Sequence, residues 1–134
     1  MVQLASQMKK RETDMYSMSI GDDHVLELIV KTDVLLQEKD IWESRDWAMQ
    51  YSDGTKYSVA IGLSNGSRVT ADARRAAASN EYAKNVKALA IYSEGVYESV
   101  RADMFRMVHR PVVPTKTFGS REEALNWLKT QSKP

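Results

Sequence analysis

The chain has 134 residues, with 19 basic and 18 acidic side chains and a formal net charge of +1. Its 43% hydrophobic and 28% charged residues are the balance of a soluble globular domain, and the low net charge gives no long-range attraction to nucleic acid. The absence of cysteine excludes disulfides, thiolate metal sites and cysteine nucleophiles.

The first 14 residues are polar and are predicted to form a flexible or helical leader. They lack the charged-then-apolar order of a signal peptide, and no apolar window in the sequence reaches the length of a membrane span. We therefore predict a cytoplasmic protein with no membrane span. A single domain is predicted over residues 15–131, followed by a tail at residues 132–134.

A hairpin and a helix are predicted next. Met15–Ile20 and His24–Val30 are rich in apolar residues and flank a turn sequence, Gly-Asp-Asp, so they are predicted to pair as a β-hairpin. Gln37–Gln50 has helical periodicity. Its predicted buried face consists of Ile41, Trp42, Ala48 and Met49.

Two apolar runs predict buried strands, at Tyr57–Leu63 and Val86–Tyr92. The second run contains a single charged residue, and such near-continuous apolarity is typical of a parallel strand that is covered on both faces. An alanine-rich helix is predicted from Thr70 to Tyr82 and another from Glu94 to Arg110, on either side of this strand. Helix, buried strand and helix together predict a layered α/β architecture.

The chain ends with a predicted strand and helix. Thr115–Phe118 is the strand. Ser120 begins the helix, and Glu123, three residues later, completes a capping box. The buried stripe of this helix is predicted to be Ala124, Leu125, Trp127 and Leu128.

Three segments of the second half carry a family resemblance. They are the strand Asn85–Ile91, the Pro-x-x-Pro-Thr-x-x-Phe segment within Arg110–Phe118, and the Glu-Ala-x-x-Trp-Leu ending within Ser120–Leu128. Together they resemble the SpoIIAA-like proteins of the STAS superfamily. The resemblance covers the last third to half of the chain, and the first half matches in its order of elements.

The resemblance implies an α/β fold with a mixed β-sheet, an N-terminal hairpin and about four helices, mainly on one face. It also implies a non-enzymatic regulatory or binding module that needs no cofactor. Sporulation-type STAS proteins are switches phosphorylated on a serine where a strand meets a helix. The corresponding hydroxyls here are Ser64, Ser67 and Thr70, although the family's Asp-Ser-Ser-Gly sequence is absent.

The predicted helix Glu94–Arg110 has a second apolar stripe, formed by Tyr97, Arg101, Phe105 and Val108. A helix that is apolar on more than one side is buried on more than one side. The stripe is a candidate surface for a homodimer, a regulatory protein partner or a small apolar ligand such as a lipid. The alternative is packing within the same chain.

A G-x-S-x-G sequence at residues 62–66 raises a third function, a serine hydrolase that uses Ser64 with Asp103 and His109. In hydrolases such a turn runs directly into a helix, whereas here three residues separate it from the next predicted helix. A plain turn is therefore the favoured interpretation. His24 and His109, the two histidines, lie far apart in sequence and lack acidic neighbours at ligand spacing, so no metal site is predicted.

Overall fold

The computed structural model describes residues 8–93 and 112–131 of the chain. Its strands are β1 (Lys9–Glu12), β2 (Tyr16–Ile20), β3 (Val25–Val30), β4 (Leu35–Leu36), β5 (Tyr57–Leu63), β6 (Arg68–Val69), β7 (Val86–Tyr92) and β8 (Thr115–Phe118). Its helices are α1 (Glu38–Met49), α2 (Ala71–Ala77), α3 (Asn80–Ala83) and α4 (Arg121–Gln131).

Six strands form the main sheet, in the order β1-β2-β3-β5-β7-β8, and β4 and β6 form a small second sheet. β1, β2 and β3 pair antiparallel, whereas β3, β5, β7 and β8 pair parallel. The predicted mixed α/β sheet with an N-terminal hairpin is confirmed. β7 lies in the interior between β5 and β8, as its apolar sequence predicts.

The charged residue of β7 lies at an irregularity in the strand. Tyr57 of β5 pairs with Val86, but the next residue, Ser58, pairs with Ala88, so Lys87 is an extra residue in the ladder. Such a bulge changes which face the following side chains occupy. Val86 and Leu89 therefore belong to the same core despite their odd spacing.

Two hydrophobic cores cover the two faces of the sheet. On one face, α1, α2 and α3 pack over β2, β3, β5 and β7, with Ile41, Ala73 and Tyr82 among the buried helical residues. On the other face, α4 packs through Ala124 and Leu128 onto small side chains of β5 and β7. Three of the four helices of the described residues thus share one face, as predicted.

The predicted leader is wrong over residues 9–12, because these residues form β1 and pair with β2. All four side chains of β1 are exposed at the edge of the sheet. An edge strand needs only backbone pairing on one side, and charged side chains there oppose aggregation. The polar sequence of this segment therefore lacks the apolar pattern by which a strand is recognised.

The predicted helix Thr70–Tyr82 is also wrong in part, since the structure divides it into α2 and α3. Thr70 does cap α2, where its hydroxyl accepts a hydrogen bond from the Ala73 N–H at 3.1 Å. Ser79 then has extended backbone, accepts from the Tyr82 N–H at 3.2 Å and donates to the Ala76 carbonyl at 2.6 Å. A serine that caps a new helix in this way ends the preceding one.

α1 agrees with its predicted bounds within one residue at each end, but its buried face differs. Met49 is exposed, whereas Trp47, Ser44 and Asp40 are buried together with Ile41 and Ala48. Ser44 donates to the Ile41 carbonyl at 2.7 Å, and Asp40 accepts from the Gln37 N–H at 2.8 Å. These polar side chains can be buried because their hydrogen bonds are made locally.

The predicted helix Glu94–Arg110 lies outside the described residues.

One buried polar group in β5 yields a stability prediction. The Ser58 side chain is fully buried, and its hydroxyl has no hydrogen-bond partner among the described residues. Because an unpaired buried hydroxyl is destabilising, Ser58→Ala should leave the free energy of unfolding unchanged or raise it by about 1 kcal/mol. Urea unfolding followed by circular dichroism measures the difference.

Ser67→Ala is the matched control, since the buried Ser67 hydroxyl donates to the Ser64 carbonyl at 2.7 Å. This control should lower the free energy of unfolding by about 1 kcal/mol. A larger loss in Ser58→Ala than in Ser67→Ala would contradict the assignment.

Candidate functional site

A crevice of about 340 Å³ lies where the parallel strands β3, β5 and β7 end, beside the first residue of α4. Open α/β sheets bind their ligands outside the carboxyl ends of such strands. We call it the carboxyl-end crevice. Its lining includes Gly62, Ser64, Asn65, Tyr92, Ser93 and Arg121.

The turn that follows β5 forms one wall of the crevice. The Ser64 carbonyl accepts hydrogen bonds from both the N–H and the hydroxyl of Ser67, at 3.1 and 2.7 Å. The Asn65 carbonyl accepts from the Asp33 N–H at 2.9 Å, and Gly66 has a positive φ of 70° that favours glycine. These contacts fix the backbone of Ser64, which is half-buried, and of Asn65, which is exposed.

The floor of the crevice depends on a glycine. A Cβ atom built on Gly62 would lie 2.6 Å from both Cζ and the hydroxyl oxygen of Tyr92. The Tyr92 ring from β7 therefore lies directly across the backbone of β5. Its hydroxyl donates a 2.7 Å hydrogen bond to Oε2 of Glu27 on β3. One side chain thus spans three neighbouring strands.

Arg121 of α4 completes the network. Its Nε donates to Oε2 of Glu27 at 2.5 Å, and its Nη2 donates to Oε1 at 3.0 Å. This bidentate pairing matches the planar guanidinium to the carboxylate. The Glu27 side chain is 12% exposed and the Arg121 side chain is 55% exposed, so the carboxylate lies beneath the guanidinium.

Opposing effects act on the Glu27 carboxyl group. Burial raises its pKa, but hydrogen bonds from Arg121 and Tyr92 and the positive charge of Arg121 lower it, and the net pKa is below its ordinary value of 4.5. Glu27 is therefore ionised at neutral pH. The hydrogen bond to Glu27 and the negative charge of Glu27 in turn raise the pKa of Arg121.

The three predicted hydroxyls have different surroundings. Ser64 is half-buried and lines the crevice. Ser67 is buried and donates to the Ser64 carbonyl, and Thr70 caps α2. The structure thus places only Ser64 of these three in the crevice. The predicted stripe of Tyr97, Arg101, Phe105 and Val108 lies outside the described residues.

Among the described residues, no histidine lies near Ser64 to act as the general base of a serine hydrolase. His24 lies at the start of β3, whereas Ser64 follows the end of β5, and the two strands are parallel. The length of a strand, roughly 20 Å, separates them. The Nδ1 atom of His24 instead lies 3.1 Å from the Thr55 hydroxyl. Asp103 and His109 lie outside the described residues.

The sequence interpretation missed Glu27, Tyr92 and Arg121. A signal was present for Glu27, which is the single charged residue of β3. A charge within an apolar strand predicts a partner, because an unpaired buried carboxylate is strongly unfavourable. The sequence did not identify that partner, since Arg121 lies 94 positions further along the chain.

The residues that the structure describes show neither a metal-binding cluster nor a membrane-spanning helix. Those residues contain no group of three or more His, Asp or Glu side chains placed to hold a metal ion. None of the helices within them has the length and apolarity needed to cross a membrane.

Gly62→Ala should lower the free energy of unfolding by about 1 to 3 kcal/mol, because the added methyl overlaps the buried Tyr92 ring. Gly119→Ala is the matched control and should be nearly neutral, since its Cβ would meet only Glu123 at 3.9 Å. In a Tyr92→Ala background the cost of Gly62→Ala should fall, because the overlapping ring is gone. Equal costs in both backgrounds would contradict the proposed overlap.

The Glu27 network should also make stability depend on pH. A lowered pKa in the folded protein contributes stability above the ordinary value of 4.5, and this contribution disappears as pH falls through the folded pKa. The difference in unfolding free energy between wild type and Glu27→Gln should therefore shrink from about pH 6 to about pH 3. Urea unfolding at each pH measures it, with Glu122→Gln on α4 as the control. A difference that stays constant into acid would oppose this assignment.

Comparisons with known proteins give one family and one related structure. The family model of DUF7793, a domain of unknown function, matches residues 18–132. A search of curated proteins finds no match. The chain is also similar to a solved structure from Shewanella loihica PV-4, which is described as an uncharacterised protein of the DUF3478 family with a SpoIIAA-like fold. The two sequences are 16% identical, and the TM-score is 0.46. The similarity covers 96% of this chain and 98% of that one. Because the family model matches well over half of its length, this chain belongs to the DUF7793 family.

Proposed function

We propose that this chain is a non-enzymatic regulatory or binding module of the STAS type, with the carboxyl-end crevice as its binding surface. The observation that carries the proposal is the polar crevice at the ends of three parallel strands. Its walls are held by hydrogen bonds within the chain, both in the turn after β5 and between Tyr92 and Glu27. A largely preformed concave site with a few converging polar groups is typical of small-molecule binding.

The ionisable groups of the crevice support binding rather than proton transfer. The Tyr92 hydroxyl and the Arg121 guanidinium both donate to Glu27, so the carboxylate that could act as a base is already paired. A general base for Ser64 would need to lie within hydrogen-bonding reach of its hydroxyl. Among the described residues, Ser64 has no such histidine neighbour, since His24 lies at the other end of the sheet.

The apolar-ligand alternative has less support from the described residues. The apolar cavity between α1, α2 and the sheet has a volume of about 20 Å³, with Leu36, Ile41 and Leu89 in its lining. Such a volume is enough for roughly one water molecule and far from enough for a lipid chain. Homodimerisation and a regulatory protein partner, which rely on the stripe around Phe105, stay predictions, as does the cytoplasmic location.

Titration of ¹⁵N-labelled protein with small polar fragments tests the proposal. Fragments that carry carboxylate, phosphate, amide or alcohol groups should shift the amide signals of residues 62–65 and of Ser93. Ser64→Tyr should weaken this binding by about tenfold, because the larger side chain fills the crevice. Thr55→Tyr, an exposed position before the start of β5 at the opposite end of the sheet, is the control and should leave binding unchanged. Shifts that cluster away from the crevice would overturn the proposal.

An ester-substrate assay addresses the hydrolase alternative in parallel. Wild type and Ser64→Ala should release p-nitrophenol from p-nitrophenyl acetate at the same slow rate as a mixture of free amino acids. Turnover in wild type that disappears in Ser64→Ala would instead establish Ser64 as a nucleophile and contradict a non-enzymatic role.

A further inference from the structure

We infer that Arg121 is the ligand-recognising residue of the carboxyl-end crevice, and that the ligand carries a carboxylate or phosphate group. This inference rests on the proposed function and names the chemical class of its ligand. The observations that carry it are the placement of charge around the crevice, the fixed orientation of the guanidinium and the size of the space.

The crevice has a cationic side chain in its lining. Among the described residues that line it, Arg121 is the only charged one, and the others are apolar, hydroxyl or amide side chains. Glu27 neutralises Arg121 from beneath, but its side chain is 12% exposed against 55% for Arg121. Within the crevice lining the charged group is therefore the guanidinium, whereas Glu27 lines a different groove on the β1–β3 side of the sheet. Arg121 also lines a second groove beside the hairpin, and there it is accompanied by the acidic residues Asp23 and Glu122.

The guanidinium is also held in one orientation. Two of its nitrogens donate to the two oxygens of Glu27, and Glu27 is itself held by Tyr92. Gly62 lets the Tyr92 ring lie where it can reach Glu27. Preorganisation of a planar guanidinium reduces the entropy lost when it binds a second planar or tetrahedral oxyanion. In this arrangement Glu27 positions the guanidinium, and Arg121 is the residue that contacts the ligand.

The neighbouring groups and the volume define the kind of ligand. The Ser64 hydroxyl and the exposed Asn65 amide lie in the same lining and can bond to the neutral part of a ligand. A space of about 340 Å³ is at the small end of known ligand sites. The volume favours a small molecule, and the hydroxyl and amide favour one with neutral polar groups beside the group that Arg121 binds.

Inorganic phosphate and acetate are the probes. Each is titrated into ¹⁵N-labelled protein at constant ionic strength set by potassium chloride, so that general salt effects cancel. At least one anion should give saturable shifts at residues 62–65. Comparing the two dissociation constants shows whether phosphate or carboxylate is preferred.

Arg121→Gln should weaken this binding by about tenfold or more, because a charged hydrogen-bond donor is lost. Arg121→Lys keeps the charge without the planar fork and should restore part of the affinity. Arg75→Gln is the matched control, since Arg75 is an exposed arginine of α2 that pairs with Asp72, and it should leave binding unchanged. If Arg121→Gln does not fold, Arg121→Lys becomes the test and should weaken binding severalfold.

The outcomes separate this inference from the proposed function. Anion binding at the crevice that is unchanged in both Arg121 variants would overturn the inference. Neutral fragments that bind the crevice while neither anion does would also overturn it, but would leave the proposed function intact. If neither anions nor fragments bind there, both fail.

Discussion

The hydrogen bond from Tyr92 to Glu27 is the contact on which the arrangement of the candidate site depends. It runs across the backbone of β5, and only a glycine at position 62 leaves room for the ring. Through Glu27 the same contact reaches Arg121 and so fixes the start of α4 above the sheet. A polar link in a partly buried setting is costly to leave unsatisfied, so each member stabilises the positions of the others.

This arrangement explains how a sheet with two apolar cores can carry a polar site. The alanines of β5 and β7 allow α4 to pack closely on the middle of the sheet. At the carboxyl ends of the same strands the apolar residues give way to Ser64, Asn65 and Ser93. In the ion pair beside these residues, the Glu27 carboxylate is mostly buried and the Arg121 guanidinium is the more exposed member. The fold thus supplies a hydrogen-bonded crevice, and Arg121 is the charged residue among those described in its lining.

Features that depend on local sequence could be predicted, and features that depend on distant partners could not. The bounds of Val86–Tyr92 follow from continuous apolarity, which a buried parallel strand requires. The edge strand Lys9–Glu12 has no such signature, because it gains its hydrogen bonds from the neighbouring hairpin. The break at Ser79 results from side-chain capping, which competes with the helix that the alanines favour. The pairing of Glu27 with Arg121 joins positions that only the folded chain brings together.

A double-mutant cycle on Tyr92→Phe and Glu27→Ala measures the central contact directly. The free energies of unfolding of wild type, both single variants and the double variant give the coupling between the hydroxyl and the carboxylate. The structure predicts a favourable coupling of about 1 to 2 kcal/mol at neutral pH, because both groups are partly buried and one of them is charged. A coupling indistinguishable from zero would mean that Tyr92 does not hold Glu27, and the orientation of Arg121 would lose its support.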